Sequence, residues 1–349
     1  ILSYLFFGLD LILSFANGSE ALALLGDEYM SLVIYFSALF FISAMLGDSF
    51  RCQGKIGAMT LITLLSTVLN ILFDYILIIV FEMGVAGTAY ATALAQASAI
   101  LAALMYQYSD ENSLHFKLKK LSGIWHNWGN YLALGAPLTL TYVGISVISG
   151  SIIYQLQIWD SETYEVSVAA YGIVTRLLTF GYMPLLGLTL AQQTIVGNNF
   201  GAKNWGRTTQ SLKICVITAA IYCAIMQAVF FIAPAQIAGI FVDDPAVIME
   251  TVRILPPTAS LYILFGPLLM FSSFFQAIGD AKLSALLGLT KIYVFSVPLI
   301  LFFPYLVGER GIWYASPVTE MIALVLTVVV LYQTRRSSQG WTSFLEARA

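Results

Sequence analysis

The sequence predicts an all-α integral membrane protein of two pseudo-symmetric six-helix lobes, twelve helices when complete, of which about nine and a half fall within this chain. Three observations predict it. The first is composition: hydrophobic residues make up 59% and charged residues 10%, with a mean hydropathy of +0.84. An average soluble domain carries about 25% charge, and a water-soluble chain this apolar would expose extensive greasy surface. The second is a succession of apolar runs of membrane length, about 20 residues each, joined by short polar connectors. The third is an internal repeat. GVAGTAYAT (Gly84–Thr92) is echoed by GERGIWYAS (Gly308–Ser316), 224 positions on, and FRCQGK (Phe50–Lys55) by FQAIGD (Phe275–Asp280), 225 positions on. Gln96 and Glu320 also stand 224 apart. Two similar hydrophobic halves are a common plan for membrane transporters, with the substrate path between them.

Taken in order, the runs predict a partial helix over 1–16, then helices near 29–49, 57–81, 85–107, 128–157, 166–196, 209–241, 249–277, 284–306 and 312–333. They group as an N-lobe over 1–108, an inter-lobe connector over 109–127, a C-lobe over 128–334 and a polar tail over 335–349. The chain opens at Ile1 inside an apolar run. The first C-lobe helix begins near His126, so the repeat puts its counterpart near position −99. The expectation is that roughly a hundred residues precede Ile1, enough for two helices and part of a third. Pro137, Pro184, Pro234, Pro256, Pro257, Pro267, Pro298 and Pro317 lie in or near spans, as membrane helices tolerate where neighbours satisfy the freed backbone groups.

Basic residues set the orientation. Counted over alternate connectors, twelve lysines and arginines (Arg51, Lys55, Lys203 and Arg207 among them) fall on one side, against Arg253 and Arg310 on the other. That expectation puts the 109–127 connector and the C-terminus in the cytoplasm.

Several functions are disfavoured by the same inspection. Three scattered cysteines (Cys52, Cys215, Cys223) imply no disulfide framework. His115 and His126, both in the connector, make no zinc spacing. A net charge of −3 gives no reason to expect nucleic acid. The segment VGNNFGAK (Val196–Lys203) lacks the Gly-Lys-Ser/Thr ending of a phosphate loop, so ATP is not expected, and Gly197 and Gly201 are expected to form a tight turn. Without a Ser/His pair or paired acids at metal spacing in a span, the chain is not expected to be an enzyme or to need a cofactor beyond a coupling ion.

A charge at mid-bilayer costs about 2.5–3.5 kcal/mol on insertion scales and faces a cavity or a partner. Asp10, Asp74, Arg176, Lys291 and Glu320 fall inside predicted spans. Asp74 follows Asn70 by one helical turn, on the same face. A carboxylate with an amide oxygen suits a sodium ion or a proton; equally, the two side chains can tie helices together. Glu320, the repeat partner of Gln96, suits asymmetric coupling between the lobes, or a static pair with Lys291 or Arg176. Lys291 either competes with a cationic substrate for Glu320 or locks two helices. Arg176, with five permanent donors, suits a clamp on carbonyls or an acid. Aromatic side chains, Tyr142 among them, either line a cation-binding cavity or pack helices.

The N-half carries the motifs RCQG (Arg51–Gly54), LNILFDYILI (Leu69–Ile78) and GVAGTAYAT. The C-half carries LGAP (Leu134–Pro137), AYGIVTR (Ala170–Arg176), PLLG (Pro184–Gly187), VGNNFGAK, FQAIG (Phe275–Gly279) and GIWYASP (Gly311–Pro317). Together, in this order, these motifs resemble the multidrug and toxic compound extrusion (MATE) family. The resemblance implies two lobes around a cavity that opens alternately to each side. It implies a secondary antiporter, monomeric in the bacterial inner membrane, that exports organic, often cationic compounds in exchange for sodium or protons. The alternative is a lipid-linked oligosaccharide or lipid flippase of the same shape. Ion-coupling and cavity candidates are Asp74, Asn70, Glu320, Gln96, Lys291, Arg176 and Tyr142. The chain departs from the family in one respect. Some branches carry the coupling acid in the first helix, outside this sequence, and others in helix seven, but 128–159 contains no acid.

Overall fold

The computed structural model describes residues 20–109, 128–159, 163–337, 343, 345 and 346. The predicted 1–16 helix with Asp10, the 109–127 connector after Ser109 with its histidines and lysines, and most of the tail beyond Ser337 lie outside the described residues. Among the described residues every regular element is helical. Seven helices are long and apolar enough to cross a membrane, and two bent pairs bring the number to nine. The protein is a multi-pass membrane protein. Its chain divides into two units, 1–121 and 122–349.

Unit 1 holds α1 (Glu20–Tyr35), α2 (Ser37–Cys52), α3 (Ile56–Asp74) with a π-helical extension (Tyr75–Val80), and α4 (Gly84–Ser109). The residues predicted as one helix over 29–49 are two, bent by 47° at Phe36. At the bend the Ser37 hydroxyl donates to the Ile34 carbonyl at 2.7 Å. The core of this unit is a stripe of small residues on α4. Gly87, Ala91, Ala95, Ala99 and Ala103 recur every fourth position, and all are buried. Small side chains at that spacing let helix backbones approach closely, which drives packing where lipid offers no hydrophobic effect. By contrast, α3 turns Leu61, Val68 and Ile71 outward, as a helix bathed in hydrocarbon can without cost.

Unit 2 holds α5 (Trp128–Trp159), α6 (Tyr164–Gly201), α7 (Trp205–Ile232), the short α8 (Pro234–Ala238), α9 (Pro245–Thr258), α10 (Tyr262–Ala277), and α11 (Ala281–Leu289) with a π segment (Thr290–Ser296). It closes with α12 (Val297–Phe302), α13 (Pro304–Val307) and α14 (Arg310–Ser337). The residues predicted as one helix over 249–277 are bent by 54° between α9 and α10. Pro256 and Pro257 remove two successive backbone donors, and the helix stops at Thr258. Pro234 likewise ends the predicted 209–241 helix at Ile232. Of the turn expected from Gly197 and Gly201, the structure forms only the part past Gly201: α6 runs through Gly197 to Gly201 and the chain turns at Ala202 and Lys203. The left-handed residue of the following turn is Lys203, at φ +58°. Gly197 instead serves close packing, its missing Cβ lying 3.6 Å from the Ala277 carbonyl. The core joins α6, α7, α9, α10 and α14 around Val174, Ile254, Leu255, Met270 and Trp313.

The sequence repeat has a backbone cause. Among the described residues the positive-φ glycines are Gly54, Gly84, Gly279 and Gly308, which are the repeated glycines themselves. The Gly54 N–H donates to Arg51 and that of Lys55 to Phe50, at 3.0 and 2.9 Å; Gly279 to Gln276 and Asp280 to Phe275 reproduce these at 3.0 and 2.8 Å. This pair of bonds is a Schellman stop, which requires a left-handed residue. The second glycine of the other repeat fits a tight corner: a Cβ on Gly311 would lie 2.7–2.8 Å from backbone atoms of Phe303 and Pro304. Gly311→Ala is therefore expected to cost about 1–3 kcal/mol as overpacking against unyielding backbone, read as a lowered thermal midpoint in detergent.

One end of unit 2 is tied by one arginine. The Arg253 guanidinium donates to both carboxylate oxygens of Glu250 at 2.6 and 2.8 Å and to both of Glu309 at 2.5 and 3.0 Å. Ser167 donates to Glu250 at 3.3 Å and the Trp313 indole to Glu309 at 3.2 Å, so α6, α9 and α14 meet here. With 42% of the arginine side chain exposed, bidentate geometry lifts the cluster only somewhat above an ordinary surface pair. Arg253→Gln is expected to cost about 1–2 kcal/mol, with the difference from wild type shrinking as salt rises.

Candidate functional site

Each unit gathers some of the sequence-predicted polar side chains within its spans, and the two sets differ in charge. In unit 1, Asn70 and Asp74 lie on the last turns of α3, where i and i+4 share a face. The Asn70 amide donates to the Thr92 hydroxyl of α4 at 3.3 Å, and that hydroxyl donates to the Thr88 carbonyl at 2.8 Å. With its amide hydrogen engaged, Asn70 keeps its carbonyl oxygen as an acceptor. Asp74 is half-buried, and its Oδ1 is fully covered with no hydrogen-bond partner among the described residues. Directly after it the helix widens to the i→i+5 pattern, Phe81 N–H bonding Ile76 at 3.0 Å. Such π segments occur often at functional sites.

Asn70, Thr92 and Gln96 line a cavity of about 250 Å³ among α2, α3 and α4, together with Ser43, Ser66 and Thr67. Gln96 also keeps a covered Oε1 with no partner among the described residues. Asp74 stands one turn beyond this cavity and does not line it.

In unit 2 the corresponding chemistry is an ion pair. Glu320 lies on α14 three residues after Pro317 and is 7% exposed. The Lys291 Nζ of the π segment reaches both its oxygens, at 2.7 Å to Oε1 and 2.8 Å to Oε2. The same ammonium sits 4.7 Å from the centre of the Phe265 ring. Phe265 in turn stacks on Tyr262 at 5.3 Å and 12°, and meets the edge of Tyr182 at 6.1 Å. The π turn that presents Lys291 fits closely against α5: Ile292 fills the space a side chain on Gly144 would need, and the Tyr293 hydroxyl donates to the Leu140 carbonyl at 2.8 Å.

Of the two sequence readings of Lys291, the helix-bridging contact is thus present in the structure, and Arg176 has no part in it. Arg176 is exposed on α6, and among the described residues no hydrogen bond or ion pair reaches it. Among the described residues the clamp read as its structural role does not form. Tyr142, on α5, is 49% exposed. Thr92 was not singled out by sequence reasoning, whereas Phe265 is one of the helix aromatics read from the sequence as lining a cation-binding cavity or packing helices. The repeat carried a usable signal for the pair: the 224–225 offset sets Lys291 opposite Ser66 or Thr67, next to the Gln96 and Glu320 match.

Comparison with known proteins agrees with this architecture. The multidrug export protein MepA of Staphylococcus haemolyticus (strain JCSC1435) is 26% identical over 301 residues, 86% of this chain and 64% of that protein. The chain thus spans just under two thirds of that relative's length. A crystal structure described as MATE in the bent conformation superposes with a TM-score of 0.83 at 21% identity, over 97% of this chain and 74% of that one. An outward-facing multidrug resistance MATE family transporter of the MOP superfamily gives 0.81 at 21% identity, over 93% and 71%. The MatE family model matches residues 1–76 and 137–302. With more than half of its length matched by that model and its motifs in the same order, the chain belongs to the MatE family.

Proposed function

We propose that the protein is a secondary antiporter that exports organic cations across a bacterial plasma membrane, in exchange for sodium ions or protons, by alternating access of a monomer. It acts as a transporter and not as an enzyme, and needs no cofactor beyond the coupling ion. Family membership and the multidrug export named for its relatives support the general class. One observation carries the mechanism. Of the two intramembrane acids in described spans, Glu320 already holds a cation, the Lys291 ammonium, whereas Asp74 holds none among the described residues. An acid without a resident cation is the one a travelling cation can neutralise.

On this reading an incoming sodium ion or proton binds Asp74, with the Asn70 carbonyl oxygen beside it and Thr92 fixing the Asn70 amide. A hard cation takes oxygen donors of this kind. Neutralising Asp74 removes the large cost of a bare charge in hydrocarbon. The two conformations then differ in ion affinity, which is what allows an ion to shift their balance. One charge moving through 100 mV supplies about 2.3 kcal/mol, enough for a useful substrate gradient. The flippase alternative is disfavoured. It needs several unpaired basic side chains to hold a pyrophosphate, yet Lys291 is neutralised by Glu320, which leaves Arg176 alone of the two basic side chains singled out within spans.

The test is efflux of ethidium from vesicles holding the purified transporter, with a sodium gradient and a proton gradient imposed separately. Export driven by one gradient and abolished by its collapse is expected. Ethidium that stays inside under both gradients, with folded protein, contradicts the reading.

A further inference from the structure

The geometry points to a second cation site, in unit 2, formed by the Glu320 carboxylate and the Phe265 face: it recognises the ammonium end of a transported amine, and Lys291 is its tethered occupant when no substrate is bound. This rests on the organic-cation reading above and names where such a cation is held.

Four features carry it. An ammonium is already seen there, in contact with a carboxylate at 2.7 and 2.8 Å and over a ring at 4.7 Å. A carboxylate plus an aromatic face is the combination that recognises organic ammonium ions. The ring is held by neighbours: Tyr262 stacks on it and Tyr182 meets it edge-on, so the aromatic wall is preorganised. Tyr262, 8% exposed, keeps a covered hydroxyl with no hydrogen-bond partner among the described residues. Finally, the repeat supplies an internal comparison. The counterparts of Lys291 and Glu320 are Ser66 or Thr67 and Gln96, and these line open space of about 250 Å³ in unit 1. Where one lobe keeps a neutral polar cavity, the other carries an acid with its own cation in place.

A merely structural lock and a tethered occupant differ in one respect: only a site shaped for cations accepts a free one when the tether is cut. Lys291→Ala deletes three carbons and a nitrogen, the atoms of n-propylammonium. The purified variant is expected to melt well below wild type and to be restabilised saturably by n-propylammonium. A ligand of so few heavy atoms has half-saturation in the millimolar range, roughly 1–10 mM. Wild type, with the site filled, is expected to show no such shift, nor is Lys291→Ala with Glu320→Gln, and n-propanol is expected to rescue nothing. A folded Lys291→Ala protein without a saturable shift, or an equal shift in the double variant, overturns the proposal.

Should Lys291→Ala fail to fold, Lys291→Met keeps the volume of the stem. Its affinity for ethidium, followed by fluorescence, is then expected to be at least about tenfold tighter than wild type, a difference lost again on adding Glu320→Gln. Equal or weaker binding overturns the proposal. Neither arm measures transport, so its failure is separate from a failure of ethidium efflux.

Discussion

Asp74→Asn is expected to abolish gradient-driven export, by about 100-fold or more, while the protein folds and melts close to wild type. The change removes one charge and keeps the shape of the side chain. A hundredfold loss corresponds to about 2.7 kcal/mol of lost coupling. Asp74 touches no described hydrogen-bond partner through Oδ1, so nothing structural is stranded by the amide, and the cost of carrying a charge in hydrocarbon disappears. Stability is thus expected to hold or rise slightly as coupling vanishes. Asn70→Ala, which removes only the neighbouring oxygen and its bond to Thr92, is expected to weaken coupling by about tenfold. The check is ethidium efflux per unit of folded protein under the driving gradient. Export by Asp74→Asn at the wild-type rate and with wild-type gradient dependence would exclude Asp74 as the coupling acid.

The second large effect is on stability. Glu320→Gln leaves the Lys291 ammonium, with 20% of its side chain exposed, without its counter-charge inside a membrane span. Breaking one side of a buried pair costs on the order of 3–5 kcal/mol, whereas replacing both partners by neutral groups of similar volume is near neutral. Glu320→Gln and Lys291→Met are therefore each expected to lose most of that amount. The double variant is expected to return to within about 1 kcal/mol of wild type, giving a large favourable coupling in the double-mutant cycle. Thermal or denaturant unfolding in detergent measures it. Additive losses in the double variant would mean that the pair contributes nothing as a pair.

The sequence and the structure agree where the physics is local or periodic. Membrane-length apolar runs read directly as spans, and the recurring Gly54 and Gly84, matched by Gly279 and Gly308, fall on four of the positive-φ positions, because glycine adopts that backbone at no cost. What sequence could not show depended on tertiary geometry. The two π segments leave no signature, since i→i+4 and i→i+5 helices place the same residue types in almost the same order, yet these segments adjoin Asp74 and carry Lys291. The bend at Phe36 has no proline to announce it. Pairing a buried acid with one of two distant cations required helix packing, which chose Lys291 and left Arg176 exposed. Thr92 was missed because a threonine on an alanine-rich helix looks like packing until Asn70 is seen beside it. Gly197 was misread as a turn because glycine serves close packing as readily as chain reversal.

The central claim is that the acid without a resident cation, Asp74, does the coupling, while the paired acid Glu320 does not. Its most direct test is the ratio of coupling ions taken up to ethidium exported. It is measured in vesicles at saturating ethidium for wild type, Asp74→Asn, and the double variant Lys291→Met with Glu320→Gln. The account predicts a wild-type ratio for the double variant, and for Asp74→Asn the loss of both ion uptake and ethidium export. The reverse pattern, with coupling kept by Asp74→Asn and lost with the pair, would contradict it.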